Sequence, residues 1–329
     1  MIPDRTGYSG IKNSEQNNSN ASFDEKFGVN AVEILSESED GNSVVRNKPL
    51  ATSTNQGRYQ DTAGVFHGFI NNAGSPQICS QDYLLAMAEG NITGHTGFAK
   101  YGRVSGVNNL LVDVWAGEGG SASVYVFPAS AQQMHVVSTS ANDDDGGTGI
   151  NKIMIEGLDS TYAELTEEVT LNGTGVVTTS GSFLRINKCY ATVAGTGGVA
   201  AGIITIKNTA GTPDTITYGG INIGLTTCRN LIYTVPLGKT LYLTSITTAS
   251  GAGGNAIKLN ATIFTPKVRL FGSTVFIPQG EILTINGDIV RNLEVPAVIP
   301  AKADVKMSVQ GDYDSGGTLC IAAVRGWLE

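Results

Sequence analysis

The chain from about residue 112 onward alternates apolar and polar residues in short runs. The pattern is clearest between Ile150 and Asn208, where Gly, Asn, Asp or Ser interrupts the runs every eight to twelve positions or so. An alternation of period two places the apolar side chains on one face of an extended strand. This stretch therefore predicts antiparallel strands joined by tight turns.

The pattern divides into two blocks of similar size, each with about eight strand signals. The first block predicts strands at Ser123–Phe127, His135–Ser138, Lys152–Glu156, Glu168–Leu171, Phe183–Ile186, Tyr190–Val193 and Gly202–Ile206. The second predicts strands at Leu231–Val235, Thr240–Thr247, Lys258–Phe264, Lys267–Leu270, Ile282–Ile285, Arg291–Val295, Asp304–Val309 and Leu319–Val324. Each block has the size of one eight-stranded sandwich or jelly roll. We therefore expect a mainly β protein with two tandem antiparallel, jelly-roll-like β-sandwich domains, at residues 111–228 and 229–329.

The first 110 residues differ from the two blocks. Residues 1–60 are rich in Asn, Ser and acids and poor in large apolar residues, so they cannot form a core alone and predict an extended N-terminal arm. Residues 61–110 predict a connector that contains a short helix at Ser80–Glu89, with Ser80 as its cap and Gly90 at its end. The Gly-rich stretch after that helix predicts a loop.

Composition narrows the classes of function. Only 15% of the residues are charged and 42 of the 329 are Gly, which favours strands and turns over exposed helices. The net charge of −8 argues against a protein that wraps nucleic acid, which needs a basic face. No apolar run is long enough for a membrane span, and the N-terminus lacks the order of a signal peptide, so synthesis in a cytoplasm is expected.

Candidate chemistry is sparse. Gly195–Ala200 fits the spacing of a dinucleotide-binding loop, but another strand pattern follows where that site needs a helix, so a hairpin loop is expected. Asp143, Asp144 and Asp145 form the densest acidic cluster and are a weak candidate for Ca²⁺, without the spacing of an EF-hand.

Cysteine and histidine give no stronger signal for a site. The four cysteines (Cys79, Cys189, Cys228, Cys320) are too far apart for a metal motif and are expected to be buried small residues. The three histidines (His67, His95, His135) are scattered, and no nucleophile motif appears. We expect no catalytic residue and no cofactor.

Several longer segments, in a fixed order, carry a resemblance to a known family. They are YLLAMAEGNITGHTGFAKYGRV (83–104), DVWAGEGG (113–120), YVFPASAQQMHVVSTSANDDDGGTG (125–149), IEGLDSTYAELTEEVTLNGT (155–174), FLRINKCYATVAG (183–195), YTVPLGKTLYLTSI (233–246) and VIPAKADVKMSV (298–309). Together they resemble bacteriophage virion structural proteins found in aquatic phages. The expected pair of jelly rolls also resembles the double jelly-roll capsid proteins, which form trimers.

The resemblance implies a capsid shell protein, major or decorating, which is not an enzyme. Its expected partners are copies of itself, as a trimer, and other virion proteins, and its expected location is the virion, assembled in the bacterial cytoplasm. Neither a nucleic-acid site nor a membrane span is expected. The alternative is a tail or fibre component that contacts host glycans. An enzyme is a third class, for which the sequence offers no converging polar site.

Overall fold

A computed structural model describes residues 92–117, 122–209, 216–251, 261–312 and 317–329 of the chain, together with short pieces before residue 91. Its strands are β1 (Phe23–Asp24), β2 (Val29–Asn30), β3 (Arg58–Gln60), β4 (Phe66–Ile70), β5 (Pro76–Gln77), β6 (Thr96–Val107), β7 (Val112–Asp113), β8 (Met134–Ser138), β9 (Ile150–Leu158), β10 (Glu164–Thr170), β11 (Val177–Thr178), β12 (Arg185–Ala194), β13 (Ile204–Asn208), β14 (Thr217–Ile221), β15 (Ile232–Thr234), β16 (Leu241–Gly251), β17 (Ala261–Arg269), β18 (Ile277–Pro278), β19 (Ile282–Ile285), β20 (Gly287–Ile299), β21 (Asp304–Gly311) and β22 (Thr318–Leu328). The protein is mainly β, as the sequence predicts.

The chain divides into two units, Met1–Asn91 and Ile92–Glu329. In the first unit β1 pairs with β2, and β3, β4 and β5 form a small antiparallel sheet. Ala86 and Met87 have helical backbone, inside the predicted helix at Ser80–Glu89. The rest of that helix and most of the predicted arm at 1–60 lie outside the described residues.

The second unit contains two pairs of sheets, each around its own core. In the first pair, which we call the inserted sheet pair, one sheet has the order β10-β9-β12 and the other the order β11-β8-β13-β14. Both sheets contribute to one buried cluster, which includes Met134, Ile155, Ile186 and Ile206. The strict apolar alternation of β8 and β9 places their large side chains in this cluster.

The other pair, which we call the outer sheet pair, comprises a six-stranded sheet and a four-stranded sheet. The six-stranded sheet has the order β15-β21-β17-β18, with β19 also on β17 and β7 on β21, and the four-stranded sheet has the order β20-β16-β22-β6. Their shared core contains Leu241, Phe264, Met307 and Cys320, all at most 1% exposed. Within the described ranges, β18, β19 and β20 form edges of these sheets.

The outer sheet pair includes strands from both sides of the inserted pair. Thr96–Val107, predicted as loop, is a strand of twelve residues that pairs with β22 along its length, so that prediction is wrong. β7 pairs with β21 in the same way. The outer sheet pair therefore does not come from one continuous block of sequence. It contains β6 and β7, which precede the inserted sheet pair, as well as the strands that follow it.

Other differences concern individual strands. Ser123–Phe127 is not a regular strand, because the Tyr125 amide donates to the Asp113 carboxylate instead of to a neighbouring strand. The predicted strands at 183–186 and 190–193 merge into β12, whose ladder with β9 contains register shifts. The signals at 258–264 and 267–270 merge into β17, which continues through Pro266. β11 and β14 have no sequence prediction.

Candidate assembly interface

Large apolar side chains are exposed in the part of the outer sheet pair between Leu270 and Val298. The first set lies in β18, β19 and the loop before β18: Leu270 (47% exposed), Phe271 (62%), Val275 (62%), Ile277 (51%), Leu283 (53%) and Ile285 (52%). The second set lies in β20: Ile289 (37%), Val290 (59%), Val295 (80%) and Val298 (62%). Single exposed apolar residues are ordinary, but a concentration of ten within thirty residues or so indicates a contact surface.

Strand β20 is an unusually open edge. Of its thirteen residues only Ile299 is buried. Neighbouring residues on a strand face opposite sides of a sheet, yet Ile289 and Val290 are both exposed. Within the described part of the chain, β20 pairs with β16 and with no second strand. Its free backbone groups are available for pairing with another chain.

A groove lies between β20 and the strands β17, β18 and β19 of the outer sheet pair. Its volume is about 480 Å³, within the range of roughly 300–1,000 Å³ that specific binding pockets occupy. Leu243, Ile246, Ile282 and Ile299, which belong to the buried core, line its floor. Lys267, Glu281 and Arg291 are its charged lining residues. The core of the outer sheet pair is therefore reached from solvent here.

A buried ionic network joins the two sheet pairs. Arg185, at the start of β12, donates from Nε to Asp304 Oδ1 at 2.8 Å, and Arg269 Nε donates to Asp304 Oδ2 at 2.9 Å. The Thr234 hydroxyl also donates to Asp304, at 2.6 Å. The side chains of Arg185 and Asp304 are 8% and 5% exposed. Arg185 and Arg269 both lie against the ring of Phe127, 5.2 and 4.8 Å from its centroid.

A second buried ion pair lies within the outer sheet pair. Lys306 Nζ donates to Asp113 Oδ2 at 2.8 Å, and the Ser308 hydroxyl donates to Asp113 Oδ1 at 2.7 Å. The backbone amide of Tyr125 also donates to Asp113 Oδ2, at 2.8 Å. Each oxygen of the two carboxylates accepts at least one hydrogen bond within the protein. Both networks therefore hold together the junction of β7, β15, β17 and β21.

Two cysteines and a lysine meet where β12 approaches β6. The Cys189 amide donates to Cys228 Sγ at 3.2 Å, and Lys100 Nζ donates to the Asn187 carbonyl oxygen. A hydrogen bond from the Cys189 thiol, together with the charge of Lys100, lowers the pKa of Cys228 to about 6. Burial lowers the pKa of Lys100. Cys189, Cys228 and Cys320 are buried, as predicted, whereas Cys79 lies outside the described residues.

Asp143, the first residue of the Ca²⁺ candidate, accepts hydrogen bonds from several segments of the chain. The carboxylate of Asp143 is fully buried and accepts from the Ser138 hydroxyl and from the amides of Ile150, Ala201 and Gly202, at 2.6–2.9 Å. These donors already occupy the oxygens that a cation would need. Asp144 accepts instead from the amide of Asp145, which is exposed. The carboxylates of Asp143 and Asp144 therefore hold the loop through backbone amides, and the three aspartates do not form one donor set.

The remaining sequence candidates do not converge. Within the described ranges no group of three His, Cys, Asp or Glu side chains could hold a metal ion. His95 lies 3.6 Å from the Glu329 carboxylate, His135 lies in β8, and the side chain of His67 is outside the described residues. Gly195–Ala200 forms a turn between β12 and β13. These strands belong to different sheets, so the segment crosses between the sheets and the predicted hairpin loop is wrong.

Sequence reasoning missed both the groove and the ionic network. Val290, Val295 and Val298 have the ordinary apolar pattern of a strand, and only the pairing of β20 with one neighbour leaves them exposed. Asp304 and Arg185 are 119 positions apart along the chain, and no local pattern predicts their contact. Pro296 within β20 and Pro300 directly after it are the nearest sequence signal of an edge.

Comparison with known proteins gives little further support. No protein family matches the chain, and no curated protein matches it. Among solved structures, the infectious bursal disease virus VP2 subviral particle has 11% identity over 76% of this chain and 77% of that one, with a TM-score of 0.20. The structure of the infectious bursal disease virus Gx strain has 12% identity over 71% and 76%, with a TM-score of 0.15. Likenesses this weak carry no argument about this chain.

No helix in the described part of the chain has the length and apolar character needed to cross a membrane.

Proposed function

We propose that the chain is a structural protein of a bacteriophage virion that assembles with copies of itself into the capsid shell. The observation that carries this proposal is the concentration of exposed apolar residues between Leu270 and Val298 in the outer sheet pair. Three of them (Leu270, Ile277 and Val298) line a groove into the core. Burying apolar area between copies supplies the free energy of association. The segments that resemble phage virion proteins support the same assignment.

In this proposal each sheet pair is a jelly-roll-like sandwich, and the buried network around Asp304 holds the two as one building block. A rigid block suits assembly because contacts on one sandwich then fix the position of the other. The trimer remains the proposed oligomer. The buried carboxylates of Asp304, Asp113 and Asp143 all accept hydrogen bonds that hold strands and loops together. The proposal therefore assigns no residue a role in catalysis.

The test is the state of association of the purified full-length chain. Multi-angle light scattering over increasing protein concentration, with negative-stain electron microscopy of the largest fractions, is expected to give closed particles or regular multimers. A chain that remains monomeric under all these conditions would contradict the proposal.

The copy number in purified virions separates the shell from the alternative. Quantitative mass spectrometry is expected to find hundreds of copies for a shell protein. A handful of copies, together with binding to host glycans, would instead indicate a tail or fibre component.

A further inference from the structure

Cys189 and Cys228 are placed as a disulfide requires, although both are free thiols in the structure. Tyr190 and Thr227 form an antiparallel bridge, and the Cys228 amide donates to the Cys189 carbonyl oxygen at 2.9 Å. The same register sets Cys189 directly opposite Cys228. Opposite residues joined by backbone hydrogen bonds have Cα atoms about 5.5 Å apart, within the range of about 4.4–6.8 Å that a disulfide spans.

The two side chains also contact each other, because opposite residues of an antiparallel pair share one face. The Cys189 amide donates to Cys228 Sγ at 3.2 Å. A hydrogen bond from the Cys189 thiol, and after it the charge of Lys100, lowers the pKa of Cys228 to about 6. The same hydrogen bond and burial raise the pKa of Cys189. Cys228 is therefore the nucleophile of the pair, since the thiolate and not the thiol attacks a disulfide.

The segment that carries Cys228 connects the inserted sheet pair to the outer sheet pair. Residues 226–230 are bridged to β12 on one side, and Asn230 is bridged to Trp115 on the other. The Leu231 amide then donates to the carbonyl oxygen of Val114, a residue of the outer core, at 2.9 Å. A covalent bond from β12 to this segment would hold one sheet pair at the point where the chain enters the other.

We propose that oxidation joins Cys189 and Cys228 in a disulfide that fastens the inserted sheet pair to the outer sheet pair within one copy of the chain. The bond closes the loop between residues 189 and 228, which contains β13 and β14. Closing a loop stabilises a fold by restricting the unfolded chain. The inference concerns a single copy and does not depend on the proposed assembly.

The oxidant is a small disulfide such as oxidised glutathione. The Cys228 thiolate attacks one of its sulfur atoms, the bond between the two glutathione sulfurs breaks, and one glutathione leaves. Cys189 gives up its proton and attacks Cys228 Sγ, and the second glutathione leaves. Two cysteine thiols are thereby oxidised to one disulfide, and one oxidised glutathione is reduced to two thiols, which take up the two protons.

The first step needs a local opening, because Cys228 is only 6% exposed. Residues 226–230 form isolated bridges instead of a strand ladder, so they can open while both sheet pairs stay folded. Cys189 is fully buried and has to reach only the sulfur of Cys228 beside it.

The experiment incubates the full-length chain in glutathione buffers of increasing oxidised fraction and then blocks the remaining thiols with N-ethylmaleimide under denaturing conditions. Peptide mass spectrometry is expected to find Cys189 linked to Cys228, while Cys320 carries maleimide. Gel electrophoresis without reductant should show a single chain. Maleimide on both Cys189 and Cys228 at every ratio would overturn the inference, and so would a link between two copies.

Single variants test the order of the two steps. Cys189→Ser cannot complete the exchange, so it is expected to retain one glutathione on Cys228. In Cys228→Ser the remaining Cys189 should stay unmodified. The matched control is Cys320→Ser, which removes a buried cysteine outside the pair and should form the same link as the unaltered chain. Glutathione on Cys189 but not on Cys228 would overturn the proposed chemistry.

Thermal unfolding measures the effect of the bond on the fold. Oxidation of the unaltered chain is expected to raise the midpoint by about 5–10 °C. Cys228→Ser in the same buffers controls for other effects of glutathione and should show no rise. A linked chain that unfolds at the same temperature as the reduced chain would show that the bond does not fasten the two sheet pairs.

Discussion

At the scale of single residues, two buried carboxylates each hold several partners in the interior. Asp304 accepts from two arginines and a threonine, and Asp113 accepts from Lys306, Ser308 and a backbone amide. Burying each charge costs solvation free energy, which the complete set of hydrogen bonds offsets. These networks specify which strands meet, because a shifted strand would leave a charge without its partner.

Replacement of Asp304 by Asn is expected to destabilise the protein strongly. The variant keeps the shape of the side chain but leaves Arg185 as a buried cation without a counter-charge, a change that typically costs about 3–5 kcal/mol. Chemical denaturation followed by tryptophan fluorescence measures the loss. The control is Lys188→Ala, which removes an exposed partner of Glu156 and should have little effect. Equal stability of D304N and the unaltered chain would show that the network is not needed.

Cys228 is expected to make stability depend on pH. The folded state lowers its pKa from the ordinary value of 9.0 to about 6, so the unfolded state binds more protons between these values. The stabilising contribution of the Cys228 thiolate to the unfolding free energy is therefore complete above pH 9 and is lost as the pH falls through about 6. The difference in unfolding free energy between the unaltered chain and Cys228→Ser should grow from pH 6 to pH 9. A difference that stays constant over this range would show that the pKa of Cys228 is not lowered in the folded state.

At the scale of elements, strands with similar apolar patterns differ in burial: some are covered by a second sheet and others lie exposed at a sheet edge. β8 and β9 are covered on their apolar faces, whereas β20 is an edge with apolar residues exposed on both faces. Exposed edges of this kind are normally shortened or charged to prevent unwanted pairing. β20 has such protection in part, because it carries exposed Asp288, Arg291 and Glu294 and a bulge at residues 293–296 that includes Pro296. Its regular edge is therefore limited to the two shorter stretches on either side of the bulge.

Gly102 illustrates how an element is fixed by close packing. A Cβ at this position in β6 would lie 2.4 Å from the Val114 carbonyl oxygen and 2.6 Å from the Leu231 amide nitrogen. Both atoms are backbone, so they cannot move without shifting β7 or the start of β15. The glycine is needed because the backbone of β6 approaches its neighbours closely.

Gly102→Ala is therefore expected to destabilise the chain by about 1–3 kcal/mol, the usual cost of overpacking. Gly97→Ala is the matched control, since it lies on the same strand and its Cβ would meet no atom within 4 Å. Thermal unfolding of the two variants should give a lower midpoint for the first only. Similar midpoints would show that β6 does not pack as described.

At the scale of the whole molecule, the outer sheet pair is completed by residues far from it in sequence. β6 covers one edge of β22, and Val104 and Val107 lie in the same core as Val324. A domain boundary drawn from sequence at residue 111 removes this strand.

Two truncations test that dependence. A chain that begins at residue 92 keeps β6 and is expected to unfold cooperatively, whereas one that begins at residue 111 exposes Val324 and Cys320 and is expected to aggregate or unfold at much lower temperature. Gel filtration and circular dichroism of both chains make the comparison. If the shorter chain is as stable as the longer one, β6 is not required for the outer core.

The amino-acid sequence by itself determined the class of structure and most of its strands. Alternation of apolar and polar residues predicted the positions of β8, β9, β16, β21 and β22, because that pattern depends only on neighbours along the chain. β16 and β22 continue to Gly251 and Leu328, beyond their predicted ends at Thr247 and Val324. It also predicted buried cysteines and a turn at Gly195–Gly198, each from local composition.

Only the tertiary structure decided which strands became edges and where charges met. The return of β6 to β22, the meeting of Arg185 with Asp304 and the opening of the groove beside β20 join residues that are tens to hundreds of positions apart. Such contacts depend on the free energy of packing the whole chain, since many pairings of similar strands satisfy the local pattern equally well. The candidate interface therefore could not be predicted from the sequence, because its residues have the ordinary patterns of strands and of the loop before β18.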